Sequence, residues 1–135
     1  MSHKPSVLIV DDEEVVRRAH RRSLEAFDCL TRSAADGKAA ILAMEEQPSD
    51  LILLDIRMPG LDGMDVLKTI KARWPDCEVV IITGYPDIDA AKEAVRLGAY
   101  DYIAKPVAPD DVLKAANDAI TQKHWALRSE QPHSH

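Results

Sequence analysis

Four apolar runs of this sequence each end in a polar residue that packing does not require. The run 7–10 is followed by Asp11 and Asp12, and the run 51–54 is followed by Asp55. The run 79–82 is followed by Thr83, and the run 102–104 is followed by Lys105. If the runs are parallel strands of one sheet, these groups meet at its carboxyl edge, where open α/β sheets bind ligands. Three carboxylates, a hydroxyl and an ammonium at one edge suit a divalent metal ion and a phosphoryl group.

The chemistry of this set follows from its charges. Asp11, Asp12 and Asp55 would repel one another in a partly buried cleft, and a hard cation such as Mg²⁺ removes that conflict. Asp55 directly follows a strongly apolar strand, so its carboxylate is held rigidly, and carboxylates can act as nucleophiles in aspartyl-phosphate chemistry. Lys105 could pair with one phosphoryl oxygen and Thr83 could donate a hydrogen bond to another.

Each of these residues alone has a plainer interpretation. Asp11 and Asp12 could cap the first helix, because aspartate favours helix N-termini. Thr83 is a good strand former, and Lys105 could be a solvated loop charge. Tyr102, in the last apolar run, could serve packing alone. Only the combination at one sheet edge favours a phosphoryl-transfer site.

Strand candidates alternate with helix candidates five times. Strands are predicted near 6–10, 28–33, 50–55, 78–83 and 100–104, and helices near 13–27, 37–47, 63–73, 88–97 and 109–124. Gly98 is placed as a C-cap of the fourth helix, and Pro109 opens the fifth. This alternation predicts a doubly wound parallel sheet with helices on both faces. The second strand is the least apolar and is expected at an edge, which gives the order 2-1-3-4-5.

Composition predicts one soluble domain. The chain has 135 residues, of which 46% are hydrophobic and 30% charged. A net charge of −6 gives it no general attraction for nucleic acid or anionic lipid. No apolar run approaches the roughly 20 residues that span a membrane, and the start lacks a signal-peptide pattern, so a cytoplasmic location is expected. Cys29 and Cys77 lack metal-ligand spacing and are expected to be reduced packing residues.

Over about residues 5–123 the sequence resembles the receiver domains of bacterial two-component response regulators; residues 124–135 would form a polar, partly disordered tail. The resemblance is carried by Val10-Asp11-Asp12, Leu54-Asp55-Ile56-Arg57-Met58-Pro59-Gly60, Ile82-Thr83-Gly84 and Tyr102-Ile103-Ala104-Lys105-Pro106. It implies the flavodoxin-like (βα)5 fold. It also implies a signalling switch that catalyses only its own phosphorylation and dephosphorylation.

The resemblance also implies the role of each acidic residue. Asp55 would accept a phosphoryl group from a sensor histidine kinase or a phosphotransfer protein. Asp12 and Asp55 would ligate Mg²⁺ through their side chains, Asp11 mostly through water, and Arg57 through its backbone carbonyl.

Three further residues would couple phosphorylation to a change of shape. Lys105 would pair with the phosphoryl oxygens and form a cis peptide bond with Pro106. Thr83 would move toward the phosphoryl group, and Tyr102 would turn inward. The surface around 84–118, which holds the fourth helix, fifth strand and fifth helix, would then change and control a partner or output domain, and could also pair two copies of the chain. No direct contact with nucleic acid or membrane is expected.

Three other functions remain open from sequence. A Mg²⁺-dependent phosphatase of the haloacid-dehalogenase type also forms an aspartyl phosphate, but it needs an Asp-x-Asp arrangement, and Asp55 is followed by Ile56 and Arg57. A flavodoxin-like binding module would need a phosphate-cradling first loop, which Asp11 and Asp12 would oppose. A phosphorylation-independent interaction module would leave the acidic, threonine and lysine set without a use.

Overall fold

The structure, a computed structural model, describes residues 4–56, 63–84 and 87–129, with side chains as far as residue 122. Within these ranges five strands alternate with five helices, as predicted. They are β1 (Ser6–Val10), α1 (Glu14–Ser23), β2 (Leu30–Ala34), α2 (Gly37–Glu46), β3 (Leu51–Leu54), α3 (Gly63–Arg73), β4 (Glu78–Thr83), α4 (Ile88–Arg96), β5 (Asp101–Ala104) and α5 (Pro109–Ser129).

The strands form one parallel sheet in the order β2-β1-β3-β4-β5, which confirms the predicted order. β1 therefore lies beside β3, and Val10 pairs with Leu54 at their carboxyl ends. The ladder continues one step further, since the backbone N–H of Asp55 donates to the carbonyl of Val10 at 3.0 Å. This register brings the residues that follow the two strands to the same point of the sheet edge.

The core lies on both faces of the central strands. Leu8 and Val10 pack in one buried cluster with residues of α2 and α3, whereas Val7 and Ile9 pack in the other with residues of α5. Burial on both faces explains why β1, β3 and β4 are continuous apolar runs rather than alternating ones. β2 lies at an edge as expected, and it is the strand with the most polar residues.

The first and last helices differ from their predicted extents. The helix predicted over 13–27 is split into α1 and a 3₁₀ turn at Leu24–Ala26, where the buried Leu24 anchors the chain before it enters β2. α5 continues to Ser129, five residues beyond its predicted end at 124. The added segment, Trp125 to Ser129, contains no glycine or proline, and most of its residues favour helix. The division into a domain at 5–123 and a tail from 124 remains a prediction.

The end of α4 is held against α3. Gly98, directly after the C-cap residue Leu97, has φ +106°, a left-handed conformation that glycine adopts readily, and it ends the fourth helix as predicted. The aliphatic stem of Lys71 packs over Gly98, with Cε 3.1 Å from where a Cβ would stand. The ammonium of Lys71 donates to the carbonyls of Pro75 and Cys77, at 3.0 and 2.7 Å. One lysine thus ties the end of α4 to the α3–β4 connection.

Cys29 and Cys77 are both free thiols, as expected. Among the described residues, no helix combines the length and apolar character that a bilayer crossing needs. The cytoplasmic location stays a prediction.

Candidate functional site

Asp11, Asp12 and Asp55 form one cluster of carboxylates at the carboxyl edge of the sheet. Each offers an oxygen, and these oxygens all lie within 4.8 Å of one another. Asp11 and Asp55 are buried, at 2% and 6% exposure, while Asp12 is exposed. The pairing of β1 with β3 produces this convergence, because Asp11 and Asp55 follow paired residues.

Asp11 is hydrogen-bonded through its backbone and both carboxylate oxygens. Its N–H donates to the carbonyl of Ala34 at 3.2 Å, and its Oδ1 accepts from the N–H of Glu13 at 3.0 Å. Its carbonyl accepts from Nη1 of Arg17 at 2.8 Å, and its Oδ2 accepts from Lys105 at 2.8 Å. The β1–α1 loop is therefore fixed from several sides.

Lys105 supplies the cation of the site. Its Nζ lies 2.8 Å from Oδ2 of Asp11 and 3.2 Å from Oδ2 of Asp55. Burial alone would lower the pKa of Lys105, but the hydrogen bond and charge of Asp11, with the charge of Asp55, raise that pKa above its usual value. The backbone N–H of Lys105 also donates to the carbonyl of Thr83 at 2.7 Å, and the bond between Lys105 and Pro106 is cis.

The donor set fits a divalent cation. Among the described residues, the cluster has three carboxylates and one ammonium, which contacts two of them, so acidic groups are in excess in a site where two of its members are buried. Carboxylate oxygens are the ligands that Mg²⁺ takes, with water and phosphate oxygens completing the shell. The cluster can therefore hold Mg²⁺ beside Asp55.

Thr83 and Tyr102 lie on the neighbouring strands β4 and β5. Thr83 is the last residue of β4 and is fully buried. Tyr102 pairs with Ile81 and packs against the core, and its hydroxyl is buried without a hydrogen-bond partner in the part of the chain that the structure describes. The movements predicted for these two residues on phosphorylation stay predictions.

The structure brings together most of the residues singled out from sequence. Asp11, Asp12, Asp55 and Lys105 meet directly, and Thr83 adjoins them through Lys105. The predicted ligand Arg57, with residues 58–60 of the same motif, lies outside the described residues.

Sequence reasoning missed two residues of α1. Arg17 contacts the Asp11 carbonyl, and His20 is buried with its Nε2 unpartnered among the described residues. Burial lowers the pKa of His20, and Lys105 lowers it further, while Asp11 opposes them. For Arg17, the available signal was a cation near the amino end of a helix, where the helix dipole disfavours it.

Comparison with known families agrees with this fold and site. The response regulator receiver domain family matches residues 7–117 of the chain. This match covers most of the described residues and includes every residue of the cluster. The chain therefore belongs to the response regulator receiver domain family.

Similar proteins include larger transcriptional regulators. The chain is 37% identical over 129 residues to the C4-dicarboxylate transport transcriptional regulatory protein DctD of Rhizobium meliloti, covering 96% of this chain and 28% of that protein. It is 42% identical over 123 residues to the hydrogenase transcriptional regulatory protein HoxA of Cupriavidus necator, covering 89% of this chain and 25% of that protein. The chain thus spans about a quarter of the length of these relatives.

Solved structures of receiver-containing proteins have the same fold as this chain. The receiver domain of NtrX from Brucella abortus is 37% identical, with a TM-score of 0.80 over 85% of this chain and 98% of that one. A longer NtrX structure in complex with ADP gives a TM-score of 0.90 at 32% identity, over 98% of this chain and 31% of that one. The chain is a receiver domain of the kind found in NtrC- and DctD-type response regulators, and this family membership is consistent with a phosphoacceptor switch.

Proposed function

We propose that Asp55 is the residue that accepts the phosphoryl group in this receiver domain. The observation that carries the proposal is the convergence of Asp55, two further carboxylates and the Lys105 ammonium at one sheet edge. Both carboxylate oxygens of Asp11 already accept hydrogen bonds, from Glu13 and Lys105, and Asp12 is exposed on the β1–α1 loop. Asp55, like Asp11, directly follows a buried central strand, which holds a nucleophile in a fixed position.

Asp11, Asp12 and Asp55 would hold Mg²⁺, with the backbone carbonyl of Arg57 as a further expected ligand. When bound, the ion would supply positive charge to the transferring phosphoryl group. Lys105 is placed to stabilise the same group, since its ammonium already lies 3.2 Å from Asp55 Oδ2. Thr83, at the adjacent strand end, would donate its hydroxyl to a phosphoryl oxygen.

The donor would be a sensor histidine kinase or a phosphotransfer protein, and the chain would catalyse only its own phosphorylation and dephosphorylation. The relatives named above are transcriptional regulators, so a downstream output domain or partner protein would receive the signal. With a net charge of −6, this stretch of sequence itself is not suited to bind nucleic acid.

The output surface would be formed by α4, β5 and α5. Ile88 and Val95 on α4 are 73% and 60% exposed, and Tyr100, before β5, is also exposed. Ile88 and Val95 are seven residues apart and so lie on one face of α4, and an exposed apolar face, unlike a single apolar side chain, is typical of surfaces that meet a partner. The same surface could pair two copies of the chain.

The site does not favour a phosphatase that acts on free phosphate esters. Membership of the receiver family and the absence of an Asp-x-Asp sequence at Asp55 both oppose it. Turnover of a generic phosphate ester by the purified chain would contradict this conclusion.

A substitution of Asp55 tests the phosphoacceptor assignment. In Asp55→Asn the nucleophilic oxygen is lost while the shape is kept, so labelling by acetyl phosphate with Mg²⁺ should fall to background. The control is Asp110→Asn, which changes an exposed carboxylate in the first turn of α5 and should label like the unmodified chain. Stable labelling of Asp55→Asn would show that another residue is the acceptor.

A further inference from the structure

The side chain of Arg17 links α1 back to the start of the β1–α1 loop, while its backbone N–H makes the ordinary i→i−4 hydrogen bond of the helix. Nη1 of Arg17 donates to the carbonyl of Asp11 at 2.8 Å, and the backbone N–H of Arg17 donates to the carbonyl of Glu13 at 3.1 Å. Asp12 lies between these two acceptors. Because Asp12 is itself exposed, its position depends on how firmly its neighbours are held.

We propose that Arg17 is a positioning residue for the metal site: it fixes the loop that carries Asp11 and Asp12 and so sets the affinity for a divalent cation. This inference rests on the proposed Mg²⁺-dependent function and extends it to a residue outside the carboxylate cluster. Arg17 is half-buried, and its guanidinium hydrogen-bonds a backbone carbonyl rather than a carboxylate.

Helix stability does not explain an arginine at this position. Arg17 is the fourth residue of α1, near the amino end of the helix, where the positive end of the helix dipole disfavours a cation. The other arginines of the helix lie further along it, and Arg18 forms an exposed ion pair with Glu14. The hydrogen bond to the Asp11 carbonyl therefore accounts for an arginine at this position, whereas helix stability does not.

Charge and positioning predict opposite effects of removing the guanidinium. A cation near a metal site repels the metal, so charge alone predicts that Arg17→Met binds Mg²⁺ more tightly. Loss of positioning predicts weaker binding, because groups that orient metal ligands commonly contribute about tenfold or more to affinity. The sign of the change in affinity therefore separates the two effects.

The first measurement is a calorimetric titration with Mg²⁺ alone, on the unmodified chain and on Arg17→Met, Arg17→Lys and Arg18→Met. We expect Arg17→Met to raise the Kd about tenfold and Arg17→Lys, which keeps a donor, to recover part of the loss. Arg18→Met should leave the Kd unchanged. An unchanged or lower Kd in Arg17→Met would overturn the positioning role.

The second measurement uses the metal-free protein. Amide hydrogen exchange at residues 12 and 13 should be faster in Arg17→Met than in the unmodified chain, and unaffected in Arg18→Met. Equal exchange in Arg17→Met and Arg18→Met would contradict the proposal, even if both are less stable than the unmodified chain. If the unmodified chain itself fails to bind Mg²⁺, the proposed function is wrong; a result confined to Arg17→Met concerns this inference alone.

Discussion

The ammonium of Lys105 lies 2.8 Å from Oδ2 of Asp11, a residue 94 positions earlier in the chain. The same ammonium reaches Asp55, the proposed phosphoacceptor, at 3.2 Å. Lys105 thus partly neutralises the carboxylates that we propose to hold the metal. Cation binding and the lysine contacts therefore compete for the same oxygens, and phosphorylation would give Lys105 a new acceptor.

Lys105→Met should increase Mg²⁺ affinity while weakening the response to phosphorylation. Two unit charges about 4 Å apart interact by about 1 kcal/mol in bulk water and about 4 kcal/mol near a protein surface, so removing the ammonium should lower the Kd at least about fivefold. Calorimetry with Mg²⁺ measures this, with Lys114→Met as control, because Lys114 is exposed and pairs with Asp118. A weaker affinity in Lys105→Met would show that the lysine organises the carboxylates more than it competes for them.

Thr83→Ala should keep phosphorylation and lose much of the change at the output surface. The buried Thr83 ends β4 beside the cluster, so its hydroxyl is placed to respond to a new phosphoryl group. Amide exchange with a beryllofluoride mimic should change most over the described parts of 84–118 in the unmodified chain and much less in Thr83→Ala. Thr31→Ala, in the edge strand β2, is the control. Equal changes in Thr83→Ala and the unmodified chain would remove Thr83 from the mechanism.

Because of His20, the free energy of unfolding should fall in mild acid. Burial holds the pKa of His20 below its usual value, so between that usual value and the folded-state value the unfolded chain binds more protons. Stability due to neutral His20 is therefore lost as pH falls below about 6.5, by at most about 1.4 kcal/mol at one pH unit lower.

Urea unfolding of the unmodified chain and His20→Leu at pH 7.5 and 5.5 measures this effect. The unmodified chain should lose more stability on acidification than His20→Leu, and the two should show the same dependence between pH 7.5 and 8.5. Identical losses at pH 5.5 would mean that His20 is protonated as easily in the folded protein as in the unfolded one.

Gly63→Ala should destabilise the fold next to the phosphoacceptor. A Cβ on Gly63 would stand 2.2 Å from the Cα of Ile56, and neither backbone can move aside cheaply. Overpacking of this kind costs about 3 kcal/mol, and because Ile56 follows Asp55, labelling should also slow. Gly84→Ala is the matched control, since among the described residues its Cβ would meet only Lys105 Cδ, at 3.9 Å. Equal free energies of unfolding for the two variants in urea would contradict the predicted clash.

The sheet and most of the site could be predicted because both depend on local sequence features. Apolar runs define the strands, and polar residues such as Asp55 and Lys105 mark the strand ends that parallel order brings together. The contact of Arg17 with the Asp11 carbonyl could not be predicted, because it depends on a rotamer and on the path of a loop. The close approach of Gly63 to Ile56 likewise depends on how α3 packs on the sheet, which no sequence pattern specifies.

The packing of Lys71 over Gly98 gives α4 one fixed end about which the helix can tilt. Its carboxyl end is fixed to the α3–β4 connection, whereas its amino end follows the segment beyond Thr83. A helix of nine residues is about 13 Å long, so a tilt of about 10° around the fixed end would displace the other end by about 2 Å. Ile88, at the amino end, would travel furthest, and Val95 hardly at all. A small event at the site would thus be magnified at one end of the output surface and leave the other end in place.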